Sequence, residues 1–181
     1  MRKFLVLVFC LGLVSLPLMA QDRTKAEVFG GYQFSRIGGT DGENLNGWNA
    51  SLAGYFTKSI GVAGDFSGSY KSISVDGANL DAKIYTYTFG PVVALNPDGK
   101  VNPFVHALFG GARLSGSASF DGASGSGSMN GFTMMFGGGV DAKLTQHLAF
   151  RVVQADWAYY RFSGHSESKN ARISTGIVFR F

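Results

Sequence analysis

The chain of 181 residues is poor in cysteine, in charge and in long apolar stretches. Its one cysteine is Cys10, charged residues make up 15% of the chain, and no run of 18 apolar residues follows residue 20. A single cysteine excludes an internal disulfide, so the disulfide-stapled scaffolds of small exported domains are excluded. A membrane-spanning helix needs about 20 apolar residues, so a helical membrane protein is excluded as well.

Glycine and aromatic residues are abundant instead. The chain has 26 Gly, 16 Phe, 7 Tyr and 2 Trp, and its glycine content is roughly twice the average. Glycine costs about 1 kcal/mol at each helical position, which disfavours a helix bundle. The glycines lack the every-third-residue period of collagen, and a hydrophobic content of 45% disfavours disorder. The remaining class is an all-β protein.

The first twenty residues have the pattern of a secretory signal peptide. Arg2 and Lys3 precede an apolar run over 4–16, and Ala20 supplies a small residue for cleavage. We expect residues 1–20 to be removed and residues 21–181 to form one β-barrel domain. Without Arg2 and Lys3 the net charge falls from +4 to +2, which is too weak to predict nucleic-acid binding.

The remainder divides into eight segments with alternating polar and apolar residues, as half-buried strands require. In the second segment, for example, Trp48 and Leu52 lie on one face of the strand and Asn49 lies on the other. The fifth segment is apolar on both faces, which leaves its register open. In the seventh segment, Arg151 and Gln154 are three residues apart, so a regular strand would direct their side chains to opposite faces. A β-bulge between them would place both on the same face, and we predict one there. The segments are 26–35, 47–56, 61–71, 82–92, 102–114, 131–140, 148–162 and 171–181.

The connections between these segments alternate in length. Short connections (57–60, 96–100, 145–147) follow the even segments, and long polar ones (37–45, 72–81, 115–128, 163–170) follow the odd segments. Long loops at one end and short turns at the other are typical of outer-membrane barrels. We therefore expect four mobile loops at the cell surface, and both chain termini on the periplasmic side.

Alternation alone does not separate a membrane barrel from a soluble lipocalin-like barrel, but the aromatic residues favour the membrane. They gather near the strand ends, as interfacial girdles do. The predicted girdle residues are Trp48, Tyr70, Trp157, Tyr159 and Phe162.

The C-terminal strand carries a second membrane feature. Ser174, Gly176, Phe179 and Phe181 place a polar residue, a glycine and two aromatics at fixed spacing. This pattern resembles the β-signal through which the barrel-assembly machinery recognises its substrates, and the alternative is an ordinary amphipathic edge strand. We expect the assembly machinery to be a partner of this strand.

From residue 25 to residue 181 the chain resembles the small OmpA-like outer-membrane β-barrel family. The likeness lies in the order and spacing of residues 27–32, 48–55, 103–110, 136–141 and 151–157. It implies a monomeric, eight-stranded antiparallel up-and-down transmembrane barrel among outer-membrane lipids and lipopolysaccharide. Longer members append a peptidoglycan-binding domain that has no counterpart here, so cell-wall tethering is not expected.

We expect the charged residues of the strands to lie in the lumen of the barrel. Glu27, Asp65 and Arg151 lie on polar faces and are predicted to form an ion-pair network centred on Arg151. Asp141, Asp156 and Arg180 are possible additions nearer the rims. The interior of an eight-stranded barrel is just wide enough for side chains to fill, and buried charges there must pair.

Three function classes follow from this interpretation. A non-enzymatic structural or surface-interaction barrel is the first, and a narrow channel is the second. The third is a lipid A-modifying enzyme, for which His165, Ser166 and Glu167 supply the residue types but point apart on an extended chain. His106, His147 and His165 are isolated in sequence, so no metal site or cofactor is predicted.

Overall fold

A computed structural model describes residues 25–38, 42–75, 78–120, 123–162 and 165–181. The predicted signal peptide, residues 1–20, lies outside them. Within the described residues, no helix is long and apolar enough to cross a membrane.

Eight antiparallel strands form one closed barrel in which each strand pairs with its neighbours in sequence. The predicted all-β, eight-stranded up-and-down barrel is therefore confirmed. Strand β8 closes the barrel on β1, and at this junction the Phe181 carbonyl oxygen accepts a hydrogen bond from the Lys25 amide at 2.6 Å. The strands are β1 Ala26–Ile37, β2 Glu43–Tyr55, β3 Ile60–Val75, β4 Ala78–Ala94, β5 Val101–Phe120, β6 Ala123–Lys143, β7 Leu148–Phe162 and β8 His165–Arg180.

The strands are longer than the sequence predicted, and the long loops are correspondingly shorter. The ladder of β3 with β4 continues to Val75 opposite Ala78, and that of β5 with β6 to Phe120 opposite Ala123. The expectation of long loops over 72–81 and 115–128 is therefore wrong. Ser and Gly have low strand propensity, but a register already fixed in the barrel wall extends the pairing into them.

The two ends of the barrel differ in their connections. At one end, called here the short-turn end, residues 56–59, 95–100 and 144–147 join the strands. At the other, the hairpin end, the pairs β3–β4 and β5–β6 extend beyond the rest of the wall. The ladder of β2 with β3 stops at Tyr70, and that of β6 with β7 stops at Gly131. Residues 71–75, 78–84, 113–120 and 123–130 thus form a four-stranded extension, called here the projecting sheet.

Side chains alternate between a filled interior and an apolar outer surface, as the sequence predicted for most strands. In β2, Asn49 is buried while Trp48 and Leu52 are exposed. The bulge predicted in β7 is confirmed, because the register with β8 shifts between Arg151 and Gln154.

The register of β5, which the sequence left open, places its even-numbered residues inside. Phe104, Leu108 and Ala112 are buried there, together with Met135 of β6 and Tyr160 of β7. The lumen is thus partly apolar, in agreement with the apolar residues that the sequence placed on both faces of this strand.

Candidate functional site

Arg151 anchors the polar interior near the short-turn end. Its Nε and Nη2 donate to the two carboxylate oxygens of Asp141 at 2.8 and 3.1 Å, and its guanidinium carbon lies 4.2 Å from the ring centroid of Phe104. Next to this pair, Arg180 Nε lies 3.0 Å from Glu27 Oε1, and its Nη2 lies 3.6 Å from Asp141. The two arginines therefore share Asp141 in this lower layer, and Arg180 also contacts Glu27; all four residues are buried.

Arg172 holds a second layer farther along the lumen. It donates to Asp65 Oδ1 at 2.7 Å and, through Nε, to Asp156 Oδ2 at 2.8 Å. His106 Nε2 lies 2.7 Å from the other oxygen of Asp156, and Asn49 donates to Asp65 at 2.9 Å. The Arg172 side chain is only 2% exposed, so this guanidinium is held almost entirely by protein groups.

Gln154 connects the two layers. Its Oε1 accepts from Arg151 Nη1 at 2.7 Å, and its Nε2 donates to Asp156 Oδ2 at 2.9 Å. The bulge makes this connection possible, because without it Arg151 and Gln154 would point to opposite faces. The result is one continuous polar assembly, called here the charge column, which consists of Glu27, Asp65, His106, Asp141, Arg151, Gln154, Asp156, Arg172 and Arg180.

Gly137 makes room for the contact between His106 and Asp156. It lies between them in the register, paired with His106 on one side and with Asp156 on the other. A Cβ at this position would overlap both the Asp156 carboxylate and the backbone carbonyl oxygen of Ala155. The sequence interpretation of residues 137–139 as closely packed strand glycines agrees with this geometry, and it gives one of them a specific role.

The structure brings Glu27, Asp65 and Arg151 into the lumen but does not join them directly. Glu27 contacts Arg180, Asp65 contacts Arg172, and Arg151 contacts Asp141. The sequence interpretation left out Arg172 and gave His106 no partner. The alternation of side chains along β8 could have predicted the inward position of Arg172, because this residue lies on the same polar face as Ser174 and Arg180.

The charge column leaves little open space between its two layers. The cavity between its layers, bounded by Asp65, His106 and Arg151, has a volume of about 20 Å³, which holds about one water molecule. Each carboxylate lies beside an arginine, as buried charges require to offset the cost of leaving water. The described residues include no group of three or more His, Cys, Asp or Glu that could hold a metal ion.

The residues considered for a lipid-modifying enzyme do not assemble into a site. His165, Ser166 and Glu167 begin β8 and pair with Phe162, Arg161 and Tyr160 across the ladder. All three are exposed, and no hydrogen bond among their side chains occurs in the part of the chain that the structure describes.

Four of the five predicted girdle residues lie on the outer surface. Trp48 Nε1 donates to the Tyr70 hydroxyl at 3.0 Å, and Trp157 stacks on Phe136 at 6.0 Å between centroids. Tyr159 follows Trp157 by two residues on β7, so its side chain lies on the same outer face. Phe162 is the exception, because its ring stacks on Tyr160 at 6.2 Å and packs against the inner apolar cluster.

The predicted β-signal lies on the strand that closes the barrel. Phe179 and Phe181 point outward and are 50% and 63% exposed, whereas Ser174 is buried. Gly176 pairs with Gly31 of β1, and a Cβ on either glycine would overlap the backbone of the opposite strand. These glycines therefore permit close approach of the two strands at the closure.

The closed barrel and its apolar outer surface define a membrane-spanning β-barrel. The outer surface carries many large exposed apolar side chains, among them Leu52, Phe66, Phe89 and Ile173, which in water would be a costly patch. A comparison with family models matches residues 6–181 to the outer membrane protein beta-barrel domain. The chain therefore belongs to this family of bacterial outer-membrane barrels.

Solved structures of outer-membrane proteins share the fold. The chain is similar to Ail, the attachment invasion locus protein of Yersinia pestis (20% identity, TM-score 0.66, covering 88% of this chain and 99% of that one). It is also similar to Neisserial surface protein A (14%, 0.58, 86% and 97%) and to OprG of Pseudomonas aeruginosa (12%, 0.52, 88% and 96%). At these identities the likeness concerns the fold alone. A comparison with curated protein sequences found no significant match.

Proposed function

We propose that the protein is a non-enzymatic surface-interaction barrel that recognises extended peptide segments through the edge of its projecting sheet. The observation that carries this proposal is the unpaired edge of β6. Between residues 125 and 130, β6 pairs with β5 on one side, while its ladder with β7 begins only at Gly131. Backbone amides and carbonyls along this edge are open to a further strand.

The edge lacks the usual devices that prevent strand addition. Natural edge strands carry charged residues, proline or bulges that block pairing with other chains. Residues 123–130 read Ala-Ser-Gly-Ser-Gly-Ser-Met-Asn, without a charge or a proline, and residues 125–130 are all exposed. Small side chains leave the backbone accessible, and strand addition binds a partner mainly through main-chain hydrogen bonds.

The lumen supports an interaction role over a channel. The charge column fills the cross-section, and open aqueous channels generally take about sixteen strands. A narrow channel would need Arg151 or Arg172 to leave its carboxylate partners. An enzymatic role has weaker support still, because His165, Ser166 and Glu167 do not assemble into a site.

The environment of the barrel follows from its outer surface. The exposed apolar wall suits outer-membrane lipids, and Lys83, Arg113 and Arg161 project from the wall towards the hairpin end. Beside the aromatic residues Tyr70, Tyr85 and Phe132, with which they pair, these cations suit the phosphates of lipopolysaccharide. In this orientation the hairpin end faces the cell exterior and the barrel functions as a monomer, exported through the predicted signal peptide.

Peptide capture tests the interaction proposal. The probe is a phage-displayed library of random linear peptides, panned against the barrel in lipid nanodiscs. We expect enriched peptides to bind the wild type and to lose at least tenfold in affinity for the double variant Ser126→Lys and Ser128→Lys, because lysines on an edge obstruct strand addition.

The matched control places the same two charges inside the projecting sheet. The double variant Ser115→Lys and Ser117→Lys alters β5, whose two edges are already paired, and should retain binding. Failure to enrich any peptide, or equal loss in both double variants, would contradict recognition through the β6 edge.

The C-terminal strand carries a separate proposal, recognition by the barrel-assembly machinery. The variant Phe179→Ala with Phe181→Ala removes two exposed side chains, so we expect slow assembly in cells but nearly unchanged stability of the refolded barrel. The measurement is the appearance of the heat-modifiable folded form on gels after a pulse of synthesis. The control is Phe89→Ala, which removes an outward ring that is 62% exposed on β4, away from the closure of the barrel. Equal assembly rates for the two variants would argue against a β-signal.

A further inference from the structure

The lumen widens at the hairpin end into a cavity whose wall is largely apolar. Its volume is about 680 Å³, which leaves room for several further side chains. Four strands, β1, β2, β4 and β5, supply the apolar wall residues Ile37, Leu45, Ile84 and Leu114. We call this cavity the cup.

Buried polar side chains close the floor of the cup. Two residues nearer the short-turn end, on the strands of Ile37 and Lys71, lie Ser35 and Ser69, whose hydroxyl oxygens are 3.4 Å apart. Gln33 Nε2 donates to Ser69 Oγ at 2.6 Å, and all three side chains are buried. The apolar part of the cavity is therefore limited to the hairpin end, where the projecting sheet forms one of its sides.

The cup extends to the unpaired edge of β6. Its lining includes Gly125 and Gly127, which lie in the stretch 125–130 where β6 pairs with β5 alone. A Cβ on either glycine would meet no atom within 4 Å. At these two positions no side chain of β6 stands between the edge and the interior of the cup.

A row of small residues crosses the inner face of the projecting sheet from this edge. Gly127 pairs with Gly116 of β5, which pairs in turn with Ala82 of β4. Cross-strand pairs lie on one face of a sheet, so these three residues form a groove that leads from the β6 edge into the cup. The next row on the same face holds larger apolar residues, namely Met129, Leu114 and Ile84.

The outer face of the same edge is polar. Successive residues of a strand point to opposite faces, so Ser126, Ser128 and Asn130 face away from the cup. The Ser128 hydroxyl accepts a hydrogen bond from Arg113 Nη2 at 3.2 Å. The edge of β6 thus separates an apolar inner face from a polar outer face.

We propose that the segment captured by β6 alternates polar and apolar residues and places a large apolar or aromatic side chain opposite Gly127. This side chain lies in the groove and covers apolar surface of the cup, which releases water. In strand addition, main-chain hydrogen bonds supply affinity and pockets for alternate side chains supply specificity. An aromatic residue opposite an edge glycine also covers the exposed backbone of that glycine. The proposal rests on the strand addition proposed above and adds the sequence class of the partner.

Two synthetic peptides of identical composition test the alternation. The alternating peptide is Thr-Val-Thr-Phe-Thr-Val-Thr, and its block isomer is Thr-Thr-Thr-Thr-Val-Phe-Val; both are flanked by Gly-Ser and carry a fluorophore. Fluorescence anisotropy measures their binding to the barrel in lipid nanodiscs. We expect the alternating peptide to bind at least tenfold more tightly, because it alone places every apolar side chain on the cup face. Equal affinities would overturn the proposal and leave strand addition intact.

Methylation of the peptide backbone tests strand addition separately. Amides of alternate residues point to the same side of a strand, so N-methylation of one alternate set removes the hydrogen bonds to β6, and methylation of the other set leaves them. We expect one methylated form of the alternating peptide to lose at least tenfold in affinity and the other to bind as the parent does. Equal affinities of the two forms, or no binding by any of the peptides, would contradict strand addition and the present proposal with it.

A variant of β4 tests occupation of the groove. Ala82→Phe places a ring in the groove without altering β6, and we expect it to weaken binding of the alternating peptide at least tenfold. A peptide with Ala in place of Phe should bind this variant and the wild type equally, which shows that the edge is intact. Ser115→Phe is the matched control, because Ser115 lies on the outer face beside Lys83, and it should bind the alternating peptide as the wild type does. Wild-type affinity in Ala82→Phe, or an equal loss in both variants, would contradict the proposal.

Discussion

The charge column and the cup lie in the same lumen, yet their walls have opposite chemistry. In the charge column, three arginines are packed among four carboxylates and the interior is nearly free of cavities. In the cup, Ile and Leu side chains surround an open volume. The comparison shows that alternation fixes which residues face inward, whereas the contents of the interior vary along the barrel axis.

The difference follows from what surrounds each region. Behind the charge column the wall carries an apolar outer surface, so an arginine there is remote from bulk water and needs protein partners. The cup opens to solvent at the hairpin end, where charges at the rim keep their hydration. Its apolar wall is therefore less tightly packed than the interior of the charge column.

The largest expected effect concerns Arg172 in the charge column. Arg172→Ala leaves Asp65 and Asp156 buried beside an empty space, and we expect it to lower the free energy of unfolding by about 3–5 kcal/mol. Urea unfolding of the barrel in lipid vesicles measures the change. Arg161→Ala, an exposed arginine of the neighbouring strand, is the control and should change stability by less than about 0.5 kcal/mol; a similar loss in both variants would contradict the column's role.

A pair of leucines on one strand compares the two regions directly. Leu108 and Leu114 both point inward from β5, but Leu108 is 1% exposed in the inner cluster while Leu114 lines the cup. Leu108→Ala should cost about 2–5 kcal/mol of unfolding free energy, because it creates a cavity among packed side chains. Leu114→Ala should cost less than about 1 kcal/mol, since its wall is already open. Equal losses in the same unfolding assay would show that the cup is packed as tightly as the interior below it.

Gly137 offers the smallest and most local change. Gly137→Ala places a methyl group against the Asp156 carboxylate and the backbone carbonyl oxygen of Ala155 and should cost about 1–3 kcal/mol through overpacking. Gly54→Ala is the matched control, because a Cβ at Gly54 meets no atom within 4 Å. Thermal unfolding monitored by gel mobility compares them, and a Gly137→Ala barrel as stable as the Gly54→Ala barrel would remove the need for glycine between His106 and Asp156.

The sequence predicted the strand count and most inward and outward faces, but not which charges meet. Arg151 and Asp141 are paired across neighbouring strands, so their contact follows once the β6–β7 register is known. Arg172 and Asp65 lie on β8 and β3, which are not adjacent, and they meet only because the closed barrel brings opposite walls together. No local pattern in the sequence indicates that Arg172 and Asp65 are close in space.

The projecting sheet shows a second limit of local patterns. Residues 115–128 are rich in Ser and Gly and were predicted as a loop, because these residues stabilise neither strand nor helix. In the structure they continue the ladder of β5 with β6 from Ser115 opposite Ser128 to Phe120 opposite Ala123. Phe162 was likewise assigned to the outer girdle, but the parity that follows the bulge in β7 directs it inward.

The sequence by itself determined an all-β barrel with an apolar outer face, because period-two alternation and aromatic content are local properties of the chain. The sequence also predicted that charged residues would pair inside the barrel, because Glu27, Asp65 and Arg151 occupy inward positions. The tertiary structure alone decided the pairing within the charge column, the closed floor of the cup and the open edge of β6. Each of these depends on the register and closure of distant strands, which a one-dimensional pattern does not encode.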